Sequence, residues 1–174
     1  MKIKLFIILL VFSNNRIFSQ CNGRYVSEIF SSVSKTTVSY SDQIQYQDLY
    51  HEMDIYTPDG DTANNRPVII FIHGGSYLGG SKTEIDCIDF CEHFAKKGYV
   101  TASVNYRLSS NQLNFVLSQE EQYSTVWKSV ADVKAAIRHF RKDYFNGNNY
   151  GIDQNTIFIG GSSAGAVTAL HLAY

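Results

Sequence analysis

The sequence predicts an α/β domain with a mostly parallel sheet flanked by helices, and two observations carry that reading. Three short apolar, β-branched runs recur along the chain: Val68-Ile69-Ile70-Phe71-Ile72, Tyr99 to Val104, and Thr156-Ile157-Phe158-Ile159. Continuous runs of this kind suit strands covered on both faces, as in a parallel sheet. Each run is followed by a segment with helical spacing or helix-forming residues, and strand–helix alternation is the signature of the α/β class.

Taken in order, residues 22–43 are rich in Ser and Thr and predict a loose lead-in with one edge strand. Gln45 to Tyr56 alternates in part through Leu49, Met53 and Ile55, and runs into Pro58-Asp59-Gly60. That is a strand or hairpin closed by turn residues. Asp61 to Arg66 is a polar loop before the first apolar run. The next helix places Ile85, Ile88 and Phe94 on one side and stops at Lys96-Lys97-Gly98, a cationic end with a glycine after it. A second helix is expected from Ser124 to Tyr144, where Val126, Val130, Val133, Ile137 and Phe140 form an apolar stripe. Gly147 to Asp153 is turn-rich, and a helix of small and apolar residues begins at Ala164.

The N-terminus reads as a secretory signal peptide over residues 1–19, which places the protein in the periplasm or outside the cell. Lys2 and Lys4 are the positive start, Leu5 to Phe12 the apolar run, and Ser13 to Ser19 the polar tail. The apolar run covers about 12 Å as a helix, short of a ~30 Å hydrocarbon core, so no stable membrane insertion is expected. Cys21 invites a lipoprotein reading, but Gln20 is larger than the small residue such sites need. Residues 20–174 are of a length for one domain. The net charge is −1, from 15 basic and 16 acidic residues, and no basic stripe points to nucleic acid. Of the three cysteines, Cys87 and Cys91 share a helix face and read as small buried hydrophobes. The pairing of Cys21, Cys87 and Cys91 stays open. No histidine sits at ligand spacing from these cysteines, and no motif implies a metal or an organic cofactor.

Chemistry concentrates in two glycine-rich segments. Gly161-Ser162-Ser163-Ala164-Gly165 is a G-x-S-x-G sequence directly after an apolar strand and before a helix. The motif alone is weak, but that context is the sharp turn that lifts a serine hydroxyl clear of a sheet. Glycines at 161 and 165 let strand and helix approach closely around Ser163. His73-Gly74-Gly75-Ser76 follows the first apolar strand, and backbone amides in such a loop can face a developing oxyanion without side-chain obstruction.

These residues carry a family resemblance. His73-Gly74-Gly75, Asn105-Tyr106-Arg107-Leu108, Asp132 to Arg138, Gly151 to Asp153 and the Ser163 turn together resemble the α/β-hydrolase superfamily, in its group of bacterial carboxylesterases related to hormone-sensitive-lipase-like esterases. The resemblance covers roughly residues 45–174. It implies that Ser163 attacks an ester carbonyl, that the amides of Gly75, Ser76 and Ala164 form the oxyanion hole, and that His73 organises the loop with Gly74. Ser76 stands where many relatives have a third glycine, and Ala166 where they have one after the turn. A backbone amide survives either change.

The same resemblance puts the triad acid and histidine later than the serine, beyond Tyr174, so the sequence reads as the N-terminal part of a catalytic domain, truncated after the helix that follows Ser163. On that reading the 174 residues alone are expected to fold poorly and to lack turnover. His171 lies about 12 Å along the same helix, beyond hydrogen-bond reach of Ser163. Asp132 precedes the serine and is expected to pair with Arg107. The activity implied is a secreted serine carboxylesterase acting on a small-molecule or polysaccharide-linked ester. The other class is a catalytically inactive binding protein of the same fold.

Overall fold

In the computed structural model, which describes residues 22–173, the three apolar runs form the parallel half of a five-stranded mixed sheet, with the third run at its edge and Phe158 exposed there rather than covered on both faces. In chain order the strands are β1 (Val33–Ser39), β2 (Glu52–Pro58), β3 (Arg66–Ile72), β4 (Val100–Val104) and β5 (Ile152–Gly161). Their spatial order is β1-β2-β4-β3-β5. β3 pairs in parallel with β4, Val68 opposite Val100, and with β5, Ile70 opposite Ile159. β1 and β2 add antiparallel on the far side, so the edge strand expected before residue 43 is present. The signal-peptide reading and Cys21 lie outside the described residues.

Among the described residues there are four α-helices: α1 (Ile85–Lys96), α3 (Gln119–Phe145) and α4 (Ala164–Ala173) pack on the sheet, and the short α2 (Gln112–Leu117) packs on α3. Alternation along the strands assigns the faces. Met53, Ile55, Val68, Ile70, Ile72, Val100 and Val104 are fully buried and pack with Val133, Ala136 and Phe140 of α3 and with Ala164 of α4. Each such side chain contributes about 1.5–3 kcal/mol of burial free energy, which makes this face the main core. The opposite face, under α1, is smaller and joins Tyr56 and Phe71 to Cys91 and Ala95.

Three expectations need correction. The inner face of α1 is Cys87, Cys91 and Ala95, not the Ile85–Phe94 side, and Ile85 is exposed. Small residues at four-residue spacing seat the helix close to the sheet, where the Thr101 hydroxyl donates to the Cys91 carbonyl at 2.8 Å. Residues 44–51 are two short 3₁₀ turns rather than strand; Asp48 caps the second by accepting from the Tyr50 N–H, and Leu49 points outward. The second helix starts before Ser124, because Ser118 caps it by accepting from the Glu121 N–H, and the short α2 precedes it.

Candidate active site

The end of β3 and the end of β5 deliver the two glycine-rich segments to one place. β5 turns into α4 at Ser163, which is exposed and has φ 48°, the left-handed region that a non-glycine residue rarely enters. Holding it there costs of order 1–2 kcal/mol. The surroundings enforce it. The Ser162 N–H donates to the Ile72 carbonyl at 3.1 Å, and the Gly165 N–H donates to the Ser162 carbonyl at 2.8 Å. A Cβ on Gly161 would lie 2.6 Å from the Ile72 oxygen, and one on Gly165 would lie 2.7 Å from the His73 oxygen. Both glycines are therefore demanded by close approach of β3 to the turn.

The loop after β3 lies against this turn. A Cβ on Gly74 would stand 3.3 Å from the Ser163 Cβ and 3.0 Å from the Ser162 hydroxyl oxygen. Gly75 (φ 109°), Ser76 (φ 55°) and Tyr77 (φ 63°) form a run in the left-handed region. Gly75 and Ser76 are exposed, between buried His73 and buried Tyr77. The Leu78 and Gly79 amides donate to the Gly75 carbonyl. The amides of Gly75, Ser76 and Ala164 have no acceptor among the described residues. For Ala164 this follows from its place in the first turn of a helix, where N–H groups lack intrahelical partners.

His73 belongs to the frame of this loop. Its ring stacks on Tyr106 with centroids 4.3 Å apart, and its Nδ1 is 2.7 Å from the Gly74 carbonyl oxygen. Burial pushes its pKa below the ordinary 6.5, against the opposing pull of the Gly74 carbonyl. A neutral ring therefore donates Nδ1–H to Gly74. The Tyr106 hydroxyl donates to the His73 carbonyl at 3.0 Å. Downstream, the Lys82 amide donates to the Asn105 side chain, and buried Lys82 reaches Asp54 at 2.7 Å.

Sequence reasoning missed these supports. Asn105 and Tyr106 belong to a segment that resembles the esterases but signal no role of their own, and Tyr77 and Lys82 give no signal beyond proximity to the glycines. The expected pair of Arg107 and Asp132 is present, with Nη2 2.6 Å from Oδ1. His171 is exposed on α4 and is not bonded to Ser163. Among the described residues no histidine hydrogen-bonds the Ser163 hydroxyl, and no cluster of His, Cys, Asp or Glu could hold a metal. The Ser162 hydroxyl instead donates to Asp86 at 3.3 Å. A cavity of about 480 Å³ lined by Tyr46, His51, Arg107, Asp132 and His139 is not lined by Ser163.

The sheet order, with a serine at the β5-to-α4 turn and a glycine loop after β3, defines an α/β-hydrolase fold. Residues 53–174 match the BD-FAE family, and the chain belongs to it. Gut esterase 1 of Caenorhabditis elegans is 33% identical over 110 residues, which is 63% of this chain and 18% of that protein. Carboxylesterase 3B of Mus musculus is 35% identical over 118 residues, 66% of this chain and 19% of that protein. Among solved structures, a thermophilic esterase of Thermogutta terrifontis is 28% identical with a TM-score of 0.59, covering 86% of this chain and 44% of that one. Esterase B of Lactobacillus rhamnosis, at 21% identity, shares the fold with a TM-score of 0.61 over 84% of this chain and 41% of that one. The chain thus spans about a fifth of the curated relatives it matches and under half of these solved esterases.

Proposed function

We propose that the protein is an exported serine carboxylesterase with Ser163 as nucleophile. The observation that carries this is the contact between the Ser163 turn and a loop whose Gly75 and Ser76 amides, with that of Ala164, lack acceptors. In the proposed reaction the Ser163 oxygen bonds to the ester carbonyl carbon while a general base takes its proton. The carbonyl oxygen becomes an oxyanion facing the amides of Gly75, Ser76 and Ala164. Collapse breaks the bond to the alcohol, which leaves with the proton, and water then hydrolyses the acyl-enzyme by the same steps. One well-aimed oxyanion donor contributes about 3–4 kcal/mol to the transition state.

All five histidines of the chain lie within the described residues and none bonds Ser163. No described residue is assigned as the base or acid of this mechanism. The second reading is a catalytically inactive binding protein on this fold. Support for an ester substrate comes from family membership and from relatives named as esterases. Export to the periplasm or beyond, by the leader read at residues 1–19, favours small external esters or acyl groups on polysaccharide.

The test is fluorophosphonate labelling with aryl-ester hydrolysis, in the full-length protein and in its Ser163→Ala variant. Covalent labelling and turnover that both vanish in the variant are expected. Turnover undiminished in Ser163→Ala would remove the nucleophile assignment, and labelling without turnover would favour the binding protein.

A further inference from the structure

We propose that Tyr77 is a positioning residue that fixes the distance between the two halves of the oxyanion hole. The inference rests on the esterase reading of Ser163. The Gly75 and Ser76 amides come from the loop after β3, whereas the Ala164 amide comes from α4. Nothing in the chain connectivity sets their separation, since β5 and the loop belong to different parts of the sequence. Tyr77 closes that gap. Its hydroxyl donates to the Ala164 carbonyl at 2.9 Å, within the residue whose amide is the third donor. The same hydroxyl lies 3.2 Å from the Thr168 hydroxyl, which also donates to the Ala164 carbonyl at 3.1 Å. Ser129 of α3 meets Thr168 at 3.0 Å and donates to the Val126 carbonyl at 2.7 Å. The loop and the turn helix are therefore tied through the Ala164 carbonyl, which accepts from Tyr77, with the Ser129 hydroxyl of α3 close by.

The backbone of Tyr77 fits that role. It is buried, although Gly75 and Ser76 just before it are exposed. It follows Gly75 and Ser76 in a third successive left-handed conformation, an arrangement that persists only where the surroundings over-determine it. The Ser109 amide holds the Tyr77 carbonyl at 2.8 Å from the other side. A hydroxyl anchored on Ala164 and a backbone anchored on Ser109 leave the two preceding amides little freedom. Preorganised donors of this kind act on the transition state, so their misplacement lowers kcat more than it raises KM.

The test compares Tyr77→Phe with the unaltered sequence in ester hydrolysis by the full-length protein, and follows amide hydrogen exchange at Leu78 and Gly79. The expected result is a kcat lower by about tenfold with KM within about twofold, and exchange at both amides faster by about tenfold while α1 is unchanged. Thr168→Val leaves the Tyr77–Ala164 bond in place and should keep kcat within about twofold. A loss there as large as in Tyr77→Phe, or unchanged kcat and exchange in Tyr77→Phe, would overturn the proposal. If Tyr77→Phe does not fold, fluorotyrosine at position 77 keeps the shape and makes a stronger donor. Slower exchange at Leu78 and Gly79 is then expected, and no change overturns the anchor. Retained hydrolysis in Ser163→Ala would refute the nucleophile reading, whereas the exchange measurements judge the Tyr77 anchor itself.

Discussion

Asp132 holds Arg107 by side chain and backbone together. Its Oδ1 is 2.6 Å from Arg107 Nη2, and its Oδ2 accepts the Arg107 backbone N–H at 2.9 Å. Asp132 is nearly fully buried on α3, while Arg107 stays about a third exposed. His51 Nε2 lies 3.5 Å from the same carboxylate. The bond fixes the segment after β4, and that segment carries Tyr106, the support of His73. Breaking a buried pair costs about 3–5 kcal/mol, less where one partner can hydrate. Asp132→Asn and Arg107→Ala should each lower unfolding free energy by about 2–3 kcal/mol in urea titrations, with the double variant well short of the sum. Additive losses would show that the pair is not a unit.

Cys87 and Cys91 offer a chemical check on how α1 sits. Both are free and fully buried, and burial pushes both thiols up to about 12. A thiol so buried and so weakly ionised is a poor nucleophile. Neither should react with a thiol reagent in the native state, and both should react in denaturant. Rapid native labelling of either would mean that the small-residue face of α1 is not the seated one.

These two cysteines were themselves legible as small buried hydrophobes on one helix face, and they are free and buried; the limit lay in weighing that face against the larger residues beside it. The β-branched runs of β3 and β4 gave interior strands directly, because continuous apolar sequence has few other places to go, whereas the run in β5 forms an edge strand with Phe158 exposed. The α3 stripe was equally legible, with Val130, Val133 and Phe140 buried. The α1 face was not, since large residues such as Ile85 dominate a hydrophobic pattern while Cys and Ala do the close packing. The start of α3 is written in Ser118 and Glu121, an S-x-x-E capping pattern. At the site, glycines and the serine announced themselves by spacing. Tyr77, Tyr106 and Lys82 did not, because their roles depend on contacts between segments far apart in sequence.

His73 sets a pH dependence whose sign follows from burial. Its folded pKa lies below the unfolded value of 6.5, so over that interval the unfolded chain binds the extra proton. Stability is then full above about pH 6.5 and is lost as pH falls toward the folded pKa. His139, also depressed by burial, acts in the same direction. Urea midpoints measured between pH 8 and 5 should fall below about pH 6.5. His73→Asn should flatten that part of the profile, though the variant starts lower because the Tyr106 stack is lost. A slope unchanged by His73→Asn would assign the acid sensitivity to His139 and to other groups.

Ser163 pits stability against chemistry. Its left-handed φ of 48° is enforced by the bonds of Ser162 and Gly165 and by the pressure of β3 on the turn. A left-handed conformation costs an L-residue about 1–2 kcal/mol, and glycine avoids that cost while losing about 0.5–1 kcal/mol in unfolded-state entropy. Ser163→Gly should therefore raise unfolding free energy by up to about 1 kcal/mol while abolishing fluorophosphonate labelling. Ser163→Ala keeps the strained backbone and should leave stability within about 0.5 kcal/mol of the unaltered protein. Comparing the two variants separates backbone strain from loss of the hydroxyl. A destabilised Ser163→Gly would mean that the turn holds no strain and that the serine sits there by packing alone.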